Sequence, residues 1–169
     1  LFIGTYFKPN NDAAAFIVSR IAPLMPDVFF AVAGTLKKYL NAKSIPGNVC
    51  VLGELTDADL SLVLTGADMA VNPVMAGSGV NIKMLDYMAY GLPVVTTECG
   101  RRGITPEREN TFMVSGIDLF PDSIRKIMSD PVLACAMSEN GRALIRDRYD
   151  WISISEKVEN RFCNELNRP

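Results

Sequence analysis

The stretch Ala67–Thr97, ADMAVNPVMAGSGVNIKMLDYMAYGLPVVTT, decides how this chain folds. A strand-like run within Ala67–Asn72 leads through a loop holding Gly77 and Gly79 into a helical segment, Ile82–Tyr90. Gly91, followed by Leu92 and Pro93, ends that helix: glycine tolerates the left-handed conformation a helix end needs, and proline cannot continue it. A second β-branched run, Pro93–Thr97, comes next. Strand, glycine loop, helix and strand make one period of βα alternation.

The loop and helix start suit an anion. Glycines let backbone approach a ligand that side chains would block. A helix start adds free N–H groups and the positive end of a dipole, and phosphate is the usual anion held there. The helix carries two charges, Lys83 and Asp86, on a mostly apolar body. Lys83, Asp86 and Tyr90 fall at i, i+3 and i+7, on one face. Asp86 lies about 6 Å along the axis from the helix start. A phosphate held by the backbone of Gly77, Ser78, Gly79 and Val80, with Asn81 closing the loop, leaves Asp86 near the ribose of a nucleotide. A carboxylate accepts two hydroxyl hydrogen bonds well. The same residues also read as a glycine turn beside an exposed Lys83–Asp86 pair, worth a few tenths of a kcal/mol. Spacing alone does not separate the two.

Outward from this unit, short runs apolar on both faces continue the alternation: Leu1–Gly4, Val28–Ala33, Val49–Leu52, Met69–Asn72, Pro93–Thr97 and Phe112–Val114. Such runs suit strands buried in a parallel sheet. Helices fit between them. Asp12 is placed to cap a helix from Ala13 to about Pro23, and Thr56 with Asp59 resembles a capping box opening a helix over Leu60–Leu64. Beyond about Ser115 the chain turns helical, over Asp118–Ser129, Pro131–Arg148 and Trp151–Asn167. The pattern predicts an α/β fold, a Rossmann-like doubly wound parallel sheet of about six strands with C-terminal helices, in a single unit over residues 1–169. Ligands of such sheets bind outside the carboxyl ends of the strands. The chemistry therefore belongs in the loops Thr5–Asn11, Gly53–Leu55, Pro73–Asn81 and Glu98–Gly103.

Composition narrows the function. Seventeen basic and 19 acidic residues leave a net charge of −2 without a basic patch, which argues against a nucleic-acid partner. No run approaches the ~20 apolar residues of a membrane span, and no signal peptide is visible. Four cysteines without a Cys-x-x-Cys pair, and no histidine, read as reduced thiols in a cytoplasmic protein. The absence of histidine also removes serine–histidine and cysteine–histidine nucleophile systems. The first strand runs into Gly-Thr-Tyr-Phe-Lys-Pro rather than Gly-x-Gly-x-x-Gly, and no Walker loop occurs, so nicotinamide and ATP sites lack support.

Among the other loops, Gly4 permits close approach and Lys8 offers charge to a phosphate, against a plainer reading in which Asp12 simply caps a helix. Gly53 places the backbone of Glu54 and Leu55 against a base edge, or merely ends a strand. Arg101 and Arg102, between Gly100 and Gly103, reach a diphosphate or an acceptor on one reading and form a solvated basic turn on the other. Trp151 reads as a packing anchor.

Taken in order, the segments FIGTYFKPNNDAAAFIVSRIAPLM, VFFAVAG, NVCVLGELTD, the stretch quoted at the outset and RALIRDRYDW resemble the C-terminal half of GT-B glycosyltransferases, most closely glycosyltransferase family 4. The resemblance covers essentially the whole chain. It implies a transferase of hexosyl type, in polysaccharide biosynthesis, whose donor is a nucleotide-diphosphate sugar. The glycine loop and helix start then hold the diphosphate and sugar, Asp86 the ribose hydroxyls, and Gly53–Leu55 the base. Donor-binding candidates are therefore Gly4, Lys8, Gly53, Leu55, Gly77, Ser78, Gly79, Val80, Asn81, Lys83 and Asp86. The family is typically retaining and metal-independent, which implies no cofactor.

One departure stands out. Many members carry two glutamates with seven residues between them; here the second is Asp86, and Ser78, eight positions before it, is no match for the first. Ser78 or loop amides then face the sugar, and no catalytic nucleophile is assigned. The resemblance also implies a missing N-terminal half that binds the acceptor and makes any peripheral membrane contact. The start at Leu1, inside an apolar run, agrees with an excised and inactive fragment. A non-catalytic interaction module on the same half-fold and a nucleotide-sugar epimerase are the alternatives.

Overall fold

The computed structural model describes residues 1–36, 40 and 44–166, without the side chains of 164–166. Strands and helices alternate as β1 (Phe2–Ile3), α1 (Lys8–Phe16), β2 (Phe30–Ala33), β3 (Val49–Gly53), α2 (Asp57–Gly66), β4 (Ala70–Asn72), α3 (Ile82–Ala89), β5 (Val94–Thr96) and β6 (Met113–Val114). Three helices close the chain: α4 (Phe120–Ser129), α5 (Pro131–Leu144) and α6 (Trp151–Leu166). The expected end of the last helix, Asn167, lies outside the described residues.

All strand pairs are parallel, in two three-stranded ladders ordered β1-β2-β3 and β4-β5-β6 rather than one unbroken sheet. Leu1 joins them: its nitrogen donates to Met69 O (2.9 Å), and its carbonyl accepts from Val71 N (2.9 Å). The spatial order is therefore 3-2-1-4-5-6, with the direction of winding reversing between β1 and β4. Ligands of open α/β sheets bind in the crevice at that reversal.

Side chains alternate across the sheet. Phe2, Val32, Val71 and Val95 pack on one face with Ala14, Ile17 and Ile21 of the first helical segment and with Phe120, Ile124 and Met137. Leu1, Ala70 and Val94 pack on the other with Leu64, Met84, Tyr87, Met88 and Leu144. Coverage on both faces is why the strands read as continuous apolar runs.

Several expected boundaries shift, for local reasons. The first helix begins at Lys8, not at Ala13, and Asp12 caps nothing. Pro9 at the first turn has its φ already set for a helix, and the Phe7 carbonyl accepts from Asn10 N and Asn11 N. Past Phe16 the winding loosens into a π turn over Ile17–Ile21 and tightens into a 3₁₀ turn over Ala22–Leu24. The second strand starts at Phe30 rather than Val28, because the Asn48 amide takes the Val28 carbonyl (2.9 Å) together with those of Ala22 and Met25. The Thr56 cap holds: Asp59 N donates to Thr56 Oγ1 (3.2 Å) and Thr56 Oγ1 donates to Asp59 Oδ2 (2.7 Å), although α2 runs further than expected on both sides. Trp151 anchors no packing; it is 83% exposed.

Candidate functional site

A cavity of about 380 Å³ opens where the winding reverses. The carboxyl end of β1 (Ile3, Gly4, Thr5) forms one wall; the loop after β4 and the start of α3 form the other. A cavity of about 450 Å³ at the opposite, amino ends of the strands has Asp27 and Asp68 as its charged side chains and is mainly apolar. It offers no cationic side chain to an anion.

Of the expected site residues, Gly4, Gly77, Ser78, Gly79, Val80, Asn81, Lys83 and Asp86 line the 380 Å³ cavity together. Gly77 (φ 135°) and Gly79 (φ 78°) adopt backbone conformations that side chains resist, and neither has a heavy atom within 4 Å of where a Cβ would sit. A Cβ at either would thus be strained by its backbone and would project into open space. Asn81 precedes α3 without a side-chain cap, so the first N–H groups of that helix remain available.

Lys83 is the unusual group. It lies largely buried, its Nζ 4.4 Å from the centre of the Phe2 ring, and donates to Asn10 Oδ1 (2.6 Å). Among the described residues it makes no ion pair; in particular it does not pair with Asp86, so the reading as an exposed surface pair fails. Burial pushes its ammonium down from 10.5 to about 7. Asp86, at the cavity mouth, is raised above the usual carboxylate range by partial burial. Tyr90, expected on the same face, turns away and donates to Ser61 Oγ (3.0 Å) on α2. Tyr87 ties α3 to the cavity wall instead, its hydroxyl accepting from Ile3 N (2.7 Å).

Three expected residues stand apart. Lys8 points away from the cavity and pairs with Asp12 (2.7 Å) in the first turns of α1. The early helix start causes this, because it sets the two residues at i and i+4. Gly53 and Leu55 are not among the cavity's lining residues. Gly53 (φ 78°) ends β3, two strands from the reversal, where its carbonyl accepts from Gly34 N (2.6 Å). Conversely, Asn10, Cys99 and Arg102 line the cavity. Asn10 reaches Lys83 across 73 positions of sequence, a contact with no local signature. Arg102, in the Glu98–Gly103 loop, lines the cavity with a side chain that stays exposed.

The sequence model of the family described as glycosyl transferases group 1 matches residues 1–130. The chain belongs to that family. An uncharacterized 44.6 kDa protein in the cps region of Klebsiella pneumoniae is 26% identical over 171 residues, 94% of this chain and 44% of that protein. A GDP-mannose-dependent mannosyltransferase of Corynebacterium glutamicum, acting by its name on a monoacylated phosphatidylinositol monomannoside, is 23% identical, over 94% of this chain and 45% of its own length. The chain thus spans about half the length of the curated relatives it matches. Among solved structures, Anabaena HepE in complex with UDP superposes with a TM-score of 0.74 at 16% identity, over 96% of this chain and 48% of HepE. The C-terminal domain of a group 1 family glycosyl transferase from Francisella tularensis superposes with a TM-score of 0.62 at 16% identity, over 88% of this chain and 86% of that domain. These likenesses confirm the Rossmann-like α/β architecture. No described helix is long and apolar enough to cross a membrane.

Proposed function

We propose that this chain is the donor-binding part of a sugar transferase and takes a nucleotide-diphosphate sugar in the cavity between β1 and β4. The observation that carries the reading is Lys83: a buried ammonium without an acidic partner, beside an uncapped helix start and a glycine loop. A diphosphate supplies the missing counter-charge. Amides of Gly77–Val80 and the α3 dipole stabilise the charge that builds on the diphosphate as the sugar departs. Asp86, one turn further on, accepts the ribose hydroxyls. The loop amides and Ser78 face the sugar.

The finer assignment is to glycosyltransferase family 4, with hexosyl transfer and retention. Its support is the ordered set of segments named above and the mannosyltransferases among the relatives. The donor set, one carboxylate against Lys83 and Arg102, favours charge stabilisation by the protein's own cations rather than a metal. The acceptor then binds to a second domain outside this chain, and the chain alone transfers little. Relatives about twice as long support that division. The base contact is left to backbone beyond the cavity, with Gly53–Leu55 still the nearest sequence candidates.

Titration of the chain with UDP, GDP and their sugars, followed by amide resonances, tests this. Shifts at Gly79, Lys83 and Asp86 are expected at millimolar ligand; if none appears with any nucleotide, the reading fails.

A further inference from the structure

Lys83 is not alone in facing the cavity without an acid. Arg102 lines the same space, and its guanidinium donates through Nη1 to the Gly77 carbonyl and through Nη2 to Cys99 Sγ (3.6 Å). Neither partner is a carboxylate, and among the described residues none pairs with Arg102, whereas Arg101 next to it is held by Glu98 (2.7 Å). A guanidinium has five N–H donors in a rigid fork. Two are engaged here, leaving three to offer a ligand.

The loop that carries Arg102 is fixed from below by buried polar groups. Asn72 Nδ2 donates to Thr96 Oγ1 (3.2 Å) and Gly100 O (3.4 Å), Gly100 N donates to Thr97 Oγ1 (2.9 Å), and Thr97 Oγ1 donates to Val74 O. Gly103 packs on the glycine loop itself, where an added Cβ would meet Val80 Cγ2 at 2.7 Å. The two loops after β4 and β5 thus form one assembly, which sets the backbone that carries Arg102 at the cavity wall.

We propose that Arg102 is a second cation of the diphosphate site and takes the phosphate distal to the nucleoside. The inference rests on the donor-site reading above. Gly77, to which Arg102 is bonded, lies five residues ahead of the start of α3 at Ile82, while Asp86 lies within that helix. Arg102 therefore meets the donor from the loop side and Asp86 from the ribose side, with Lys83 between. The planar fork matches phosphate oxygens two at a time, which a lysine does not.

The test compares UDP with UMP, and GDP with GMP, by calorimetry on the wild-type chain, Arg102→Ala, Arg102→Lys and Lys83→Ala. Arg102→Ala should weaken the diphosphate by ~10-fold or more while changing the monophosphate little, since one charge-assisted bidentate contact is lost. Arg102→Lys should fall between. Equal weakening of both nucleotides would mean that Arg102 only braces the loop, and would overturn the proposal, as would an unchanged Arg102→Ala. If Lys83→Ala loses the diphosphate and Arg102→Ala does not, the donor site stands and this inference falls. If the wild-type chain binds neither nucleotide, the donor site itself falls. Should Arg102→Ala not fold, the Arg102→Lys ratio of diphosphate to monophosphate affinity decides, an unchanged ratio counting against the proposal.

Discussion

Replacing Lys83 by methionine should make the empty chain more stable and the donor site inert. Burial holds Lys83 near 7, against 10.5 for a lysine in water. Between those values the unfolded chain binds a proton that the folded chain does not. Stability therefore rises with pH across that window and is lowest below about 7, where the folded state must carry the buried charge. At about 1.4 kcal/mol per pH unit for a fully displaced proton, the cost below pH 7 reaches at most ~5 kcal/mol. About 2 kcal/mol of it should be relieved between pH 7 and pH 9. Partial solvent access reduces both figures without changing their sign.

Urea titrations of the wild-type chain and Lys83→Met at several pH values check this. All other side chains are common to both proteins, so the difference between the two curves isolates Lys83. That difference should be largest near pH 6 and shrink toward pH 9. Parallel curves would refute the argument that the ammonium is buried without a counter-charge. A ligand-side consequence follows from the same cause. A diphosphate restores the charged form, so donor binding near pH 8 should take up close to one proton, measurable by calorimetry in buffers of different ionisation enthalpy. Lys83→Met should take up none.

Further outcomes extend this reasoning. Asp86→Asn should weaken nucleotide-sugar binding by roughly 10- to 100-fold, the cost of ~1.5–3 kcal/mol for hydrogen bonds to a charged acceptor, and should act equally on nucleoside mono- and diphosphates in calorimetric titrations. Gly100→Ala should destabilise the chain by several kcal/mol in thermal melts, because the added Cβ would sit 2.3 Å from Thr96 Oγ1 and 2.7 Å from Asn72 Nδ2, both buried. Asn48→Ala should cost ~2–3 kcal/mol in urea denaturation, since the Ala22, Met25 and Val28 carbonyls lose one shared donor. If the chain is the donor half of a longer transferase, as proposed, that enzyme should keep its activity when divalent cations are removed with EDTA, provided protein cations and amides alone carry the diphosphate charge.

The sheet was legible because a strand buried on both faces writes itself as a short unbroken apolar run, and six such runs pair in parallel. The glycine loop and α3 were legible for a related reason: the residues that line the cavity there are contiguous, so Gly77, Gly79, Lys83 and Asp86 fall close together in sequence. Position along the chain predicted less well wherever a side chain competed with the backbone. Asn48 removes Val28 from β2, and Pro9 lets α1 open at Lys8, four residues before the aspartate that looks like its cap. The rest of the site depends on distances in space that leave no pattern in sequence. Asn10 and Lys83 meet only because β1 and β4 become neighbours, and Arg102 reaches the cavity wall from a loop whose start is tied at Gly100 to Asn72 on β4 and to Thr97 at the end of β5. The turn from Glu98 to Gly103 reads identically as a solvated basic corner or as a cavity wall. What separates the two is the partner each arginine finds: Glu98 occupies Arg101, and among the described residues nothing acidic occupies Arg102. A charged side chain left without a counter-charge at the edge of a built cavity is the physical mark of a ligand site, and it becomes visible only once the chain is folded.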